Sequence, residues 1–154
     1  MAGKSGVKLS SDEVSRIRAE WIVDGYTHFC KELLNAGVSY EKLKEASVAF
    51  WRKLAEEFAR RVKEQFKLGG SLEEASIPVI LMGSQIAGYG EEAEPGKHLK
   101  VYDCPWFKAI EKYGLNRDFW MPECIACYNA IVKVFNPRYE WKLVKALPRG
   151  DECC

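Results

Sequence analysis

Histidine is nearly missing from this chain: His28 and His98 are the only two among 154 residues. A metal centre or proton relay built on several imidazoles is thereby excluded, and a cysteine–histidine dyad has just these two candidates. Net charge is missing as well. Lys and Arg total 23 against 22 Asp and Glu, so no one-signed field draws in nucleic acid or an anionic membrane. The apolar run Ile77 to Met82 falls far short of the roughly 20 residues that span a bilayer. Lys4 is followed by no apolar stretch, so no secretory signal is expected and the cytoplasm is the expected compartment. The glycine-rich stretch 83–90 lacks the Lys-Ser/Thr of a phosphate loop and is not a Gly-x-Ser-x-Gly elbow. It reads as a helix end and a connection running on through Glu91 to Gly96.

What is present is the composition of a folded domain. Hydrophobic residues make up 47% and charged residues 29%, and the length suits one domain with a core of its own. Cysteine is plentiful, at positions 30, 104, 124, 127, 153 and 154. In a reducing compartment such a set points to buried thiols, metal ligands or a reactive thiolate rather than to a disulfide framework.

Residues 11–68 read as two long amphipathic helices. Ser10 or Ser11 with Asp12 and Glu13 is a start signal, the anions lying at the positive end of the helix dipole. Ile17, Trp21, Gly25, Phe29 and Leu33 recur at four-residue steps until Asn35-Ala36-Gly37 breaks the pattern. Ser39 restarts it, and Phe50, Leu54, Phe58, Val62 and Phe66 form the expected core stripe, with Glu56/Arg60 and Glu57/Arg61 opposite. A third helix opens at Ser71, where Glu74 completes a capping box, and Pro78 either kinks it or marks its true beginning.

After Gly96 the period changes. His98 to Tyr102 alternates as a strand, Pro105 takes the first position of a helix closed by Gly114, and a further helix runs from Pro122 to Val134 before Asn136-Pro137. Tyr139 to Leu147 alternates again, and Pro148-Arg149-Gly150-Asp151 is turn chemistry. The order predicts an α+β fold: two to three N-terminal amphipathic helices (10–90) packed on a small antiparallel sheet, with two short helices in a cysteine-bearing half (97–154).

Three places set cysteine beside a structural boundary. Cys104 lies between a strand end and a helix start, where free amides and the helix dipole are expected to favour its thiolate. Cys124 and Cys127 share a face near the start of the next helix, and Cys153 and Cys154 follow a tight turn; Cys30 reads as a small core residue. Cys104-Pro105-Trp106, Cys127 with Asn129 (or Cys124), Asn136-Pro137 and Gly150-Asp151-x-x-Cys154 together resemble the L-2-amino-thiazoline-4-carboxylic acid hydrolase family, over residues 98–154, about a third of the chain. The chain departs from that pattern at Asn129, where members carry an acid, and members continue beyond the last cysteine into an apolar strand. The resemblance implies hydrolysis of a small cyclic amidine-like C=N compound, with Cys104 as nucleophile or its equivalent. Cys127 and Cys154 would then form the facing wall, Asp103 and Asp151 are the nearest acids, and Trp106, Asn129 and His98 complete the pocket.

Two other readings stand beside it. Cys104, Cys124, Cys127 and Cys154 offer a four-thiolate site for zinc or an iron–sulfur cluster, Cys124-x-x-Cys127 being a spacing that zinc uses. The Gly-Asp-x-x-Cys ending also resembles vinyl-reductase-type small-ligand-binding or sensory domains, although Lys142 and Lys145 stand near the places of the Glu and Cys of their metal-binding members. The cofactor is thus left open, and a small molecule is the expected partner, with neither nucleic acid nor membrane. Trp106, Trp120 and Trp141 read as core or as walls of an apolar pocket.

Overall fold

The computed structural model describes residues 10–83 and 89–154. Helix α1 (Ser11–Asn35) begins at Ser10, whose hydroxyl accepts from the Glu13 amide while the Glu13 carboxylate accepts from the Ser10 amide. Helix α2 (Tyr40–Gln65) is capped by Ser39, and α3 (Leu72–Met82) repeats the reciprocal cap with Ser71 and Glu74. Glu74 accepts from the Gly69 amide too, at 2.9 Å. A side chain at residue 69 would press on that carboxylate. Pro78 lies inside α3 rather than opening it, at the cost of one helical hydrogen bond.

Strand β1 (Tyr89–Glu94) pairs antiparallel with β2 (His98–Asp103), placing Glu94 opposite His98 and Glu91 opposite Val101. Gly96 turns the hairpin at φ +79°, and its amide donates to Ser76 Oγ, tying the hairpin to α3. Helix α4 (Pro105–Tyr113) and helix α5 (Met121–Phe135) follow, then a 3-10 turn at Leu147–Arg149.

The architecture corrects the α+β expectation: the protein is mostly helical, 66% helix, with a two-stranded hairpin as its β structure among the described residues. Strand β1 forms in the region read as a connection, residues 84–88 of which lie outside the described part. Among the described residues, Tyr139 to Leu147 joins no ladder. Asn129 on α5 occupies the partner's place: its Nδ2 donates to the Trp141 carbonyl at 2.9 Å, and its Oδ1 accepts from the Trp141 amide at 3.1 Å. A side-chain amide can offer both groups, so the segment stays extended without a neighbouring strand. The long helices pack on the C-terminal helices rather than on a sheet, α2 against α5 and α1 against α4.

The expected core stripes are also displaced. Phe50, Leu54 and Phe66 on α2, and Ile17, Trp21 and Phe29 on α1, are exposed. An α-helix turns about 100° per residue, so a line of strict four-residue steps winds around it by about 40° per step. Only the middle of such a line is covered: Phe58 packs against the core shared by α2, α3 and α5, and Val62 is buried. The residues buried on α2 are Leu43, Ser47, Ala55, Ala59 and Val62, and on α1 Ala19, Val23, Thr27 and Cys30. Small side chains at 55 and 59 let α2 approach α5 closely. One core cluster gathers Ala55, Ala59, Val79, Ile131 and Phe135 between α2, α3 and α5. A second, around Val23, Ile110, Phe119 and Trp120, joins α1 to α4 and the start of α5. Among the described residues, no helix is long and apolar enough to cross a membrane.

Candidate functional site

The two core clusters meet around a cavity of about 110 Å³. Its walls come from six parts of the chain. Helix α2 gives Trp51, α3 gives Met82, β2 gives Leu99 and Val101, and α4 begins it with Cys104, Trp106 and Phe107. Helix α5 gives Glu123, Cys124, Cys127 and Tyr128, and the chain beyond it closes the wall with Trp141, Leu143 and Cys154. Four of the six thiols thus line one space, although fifty residues separate the first from the last.

The Gly-Asp-x-x-Cys segment is built to deliver its cysteine. Gly150 turns the chain at φ +92°, a backbone that favours glycine, and the Asp151 carboxylate accepts from the Ala146 amide at 2.8 Å to close the loop. The chain then returns beside β2, where Cys154 and Val101 exchange both backbone hydrogen bonds at 2.9 and 3.0 Å, as a closely spaced antiparallel pair does. That pairing puts the Cys154 thiol at the cavity, and its sulfur accepts from the Leu147 amide at 3.3 Å.

Burial, not the helix dipole, governs the thiols. Cys104 is the N-cap of α4, with the Trp106 and Phe107 amides close to its sulfur, yet burial pushes its pKa up to about 11. This corrects the expected low pKa: the amides act in the anticipated direction, but loss of solvation outweighs them. Burial raises Cys127 to about 12, and its thiol meets the Met82 sulfur at 3.2 Å. Cys124 is raised well above the ordinary thiol value by burial first, and further by the neighbouring acidic groups of Cys104, Cys127, Cys154 and Glu123. Cys154 is raised by burial. At neutral pH all four rest as thiols.

The other expected residues divide. Trp106 lines the cavity, in edge contact with Trp51 and Trp120 at ring separations of 5.1 and 4.9 Å. Asp103, Asp151, Asn129 and His98 do not line it. Asp103 pairs with Lys108 at 2.6 Å, Asp151 closes its loop, and Asn129 holds Trp141. His98 sits exposed at the start of β2. His28 is exposed on α1, stacked on Tyr113 with ring centroids 5.0 Å apart. Cys30 and Cys153 are buried elsewhere. Among the described residues, no group of three or more His, Cys, Asp or Glu side chains is arranged to hold a metal ion.

Glu123 is the residue the sequence reading passed over. It is 3% exposed, and among the described residues neither carboxylate oxygen has a hydrogen-bond partner. Burial raises its pKa to about 7, against smaller opposing effects of the backbone, the Ser47 hydroxyl and Lys44. An acid in the first turn of a helix ordinarily reads as a solvated complement to the dipole. The signal lay in the period: Glu123, Cys127, Ile131 and Phe135 fall on the buried stripe of α5. A carboxyl titrating near neutrality can take or give a proton there.

No protein family, curated protein or solved structure matches this chain.

Proposed function

We propose that the cavity is the active site of a hydrolase that opens a small cyclic C=N compound of the amino-thiazoline type, in the manner of the amino-thiazoline-carboxylate hydrolases that residues 98–154 resemble. The observation that carries this reading is the convergence of Cys104, Cys124, Cys127 and Cys154 with the ionisable Glu123 on one apolar cavity. Its size agrees. A cavity of 150 Å³ accepts benzene, so about 110 Å³ suits a five-membered ring with a small substituent.

In this mechanism Glu123, as carboxylate, takes a proton from water as the water oxygen bonds to the C=N carbon and the π pair moves to nitrogen, which receives that proton from Glu123. The hydroxyl proton of the adduct then passes through Glu123 to the departing ring heteroatom as its bond to carbon breaks and C=O forms. The Trp and Tyr faces exclude bulk water and hold the ring flat. Cys104, near the amides at the start of α4, provides the alternative nucleophile: as sulfur bonds to carbon the C=N pair moves to nitrogen with the thiol proton, that proton passes to the departing ring atom as C=N re-forms on the sulfur-bound carbon, and water hydrolyses this adduct to return the thiol.

The test is turnover of 2-amino-thiazoline compounds followed by mass spectrometry. Glu123→Gln is expected to lower it by at least a hundredfold, and Cys104→Ala to lower it comparably if sulfur is the nucleophile. Turnover that survives Glu123→Gln refutes the acid–base role, and turnover that survives Cys104→Ala removes that thiol from the chemistry. A second reading, a small-ligand sensory module, is favoured by the resting thiol state. It predicts ligand that is bound and recovered unchanged.

A further inference from the structure

Among the described residues, four buried side-chain polar atoms lack a hydrogen-bond partner: both Glu123 oxygens and the indole nitrogens of Trp51 and Trp120. All three residues line the same cavity. Native proteins leave few buried polar groups unsatisfied, and such groups call for a partner from outside the chain or for a functional role. Here they are collected at one place. The remainder of the wall is hydrocarbon, aromatic ring and neutral thiol, with no Lys, Arg or His among the described residues that line it. Lys44, the cation whose field reaches Glu123, does not line the cavity and holds its ammonium 5.8 Å from the Tyr40 ring centroid.

We propose, building on the ring-opening reading of this cavity, that its ligand is a small planar cation: a five-membered ring bearing an amidinium group and carrying no carboxylate or other anionic substituent. Two parallel N–H groups of an amidinium match the two free oxygens of Glu123 in the bidentate geometry that carboxylates favour. The tryptophan faces of the wall attract positive charge as well. An anionic substituent would share a low-dielectric space with Glu123, where like charges oppose one another and no side-chain cation lines the wall.

The test titrates 2-amino-thiazoline and its 4-carboxylate separately into the protein, following tryptophan emission from the wall. The expected result is at least tenfold tighter binding of the uncarboxylated cation, and at least a tenfold loss of that binding in Glu123→Gln, with the far-ultraviolet circular dichroism unchanged. Equal or tighter binding of the carboxylate, or unchanged cation affinity in Glu123→Gln, overturns the inference. The two-ring comparison on the unmodified protein stands whether or not the variant folds. Turnover read in the same samples separates the two proposals. A cationic ring bound tightly but never consumed keeps the inference and sinks the hydrolase reading, whereas preferred consumption of the carboxylated ring does the reverse. No binding of either ring overturns both.

Discussion

Replacing Glu123 by Gln should stabilise the protein at alkaline pH and abolish a specific pH dependence. Glu123 is 3% exposed, and burial raises its pKa from 4.5 to about 7 in the folded state. The folded protein therefore holds this proton more tightly than the unfolded chain does. Below pH 4.5 the carboxyl is neutral in both states and costs nothing. Between 4.5 and 7 the unfolded chain ionises first, so stability falls as pH rises, by about 1.4 kcal/mol per pH unit. Above 7 both states are ionised and the loss levels off, at about 3 kcal/mol in all. The groups facing Glu123 do not reverse this. Tyr26 and Cys30 on α1, Tyr40 on α2 and Cys124 on α5 all have raised pKa values and stay neutral through that window, and Lys44 on α2 opposes the shift only weakly. Urea unfolding at pH 5 and pH 8 measures the effect. With a slope of about 2 kcal/mol per molar urea for a chain of this size, the variant should gain roughly 1.5 M in midpoint over the unmodified protein at pH 8 and little at pH 5. Every other titrating group is common to both proteins and cancels in the difference. A variant showing the same pH slope as the unmodified protein would refute the argument that this carboxyl is buried without a partner.

Other expectations follow from the same geometry. Asn129→Asp removes the donor to the Trp141 carbonyl and sets a negative charge against it, so it should cost about 1–3 kcal/mol by urea unfolding; an unchanged midpoint would show that the segment needs no such clamp. Gly150→Ala forces a side chain onto a backbone at φ +92° and should cost about 1 kcal/mol or more, together with the pairing of Cys154 to β2, which amide hydrogen exchange at Val101 reads directly. The cavity thiols of Cys104, Cys124, Cys127 and Cys154, their pKa values all raised, should alkylate with iodoacetamide at pH 7.5 far more slowly than free cysteine, and freely in urea. Rapid native labelling of Cys104 would mean that the helix amides outweigh burial after all. Trp21→Ser, at a residue 77% exposed, should shift stability by no more than about 0.5 kcal/mol, an outcome incompatible with the core role that its spacing suggested.

What the sequence determined by itself is what depends on short-range chemistry. The starts of α1, α2 and α3 follow from Ser10, Ser39 and Ser71, because a cap is a hydrogen bond between residues three apart. The end of α4 at Gly114 and the turn at Gly150 follow from backbone angles that only glycine takes readily. Strand β2 and helices α4 and α5 were legible for the same reason, and so was the grouping of Cys104, Cys127 and Cys154 as candidates for a shared site, though only through a resemblance.

Tertiary structure decided what depends on which neighbour arrives. The Tyr139–Leu147 segment has the alternation of a strand, but a ladder needs a partner, and the Asn129 amide took that place. Phe50 and Phe66 read as core because they repeat every four residues, yet the facing surface of α5 selects the side of α2 that carries Ala55 and Ala59. The pKa of Cys104 is set by the depth of its burial, which no local motif states. Glu123 belongs with these: its first-turn position reads as a solvated cap, and only the packing of α2, α4 and α5 around it turns an ordinary carboxylate into a buried group that ionises near neutral pH.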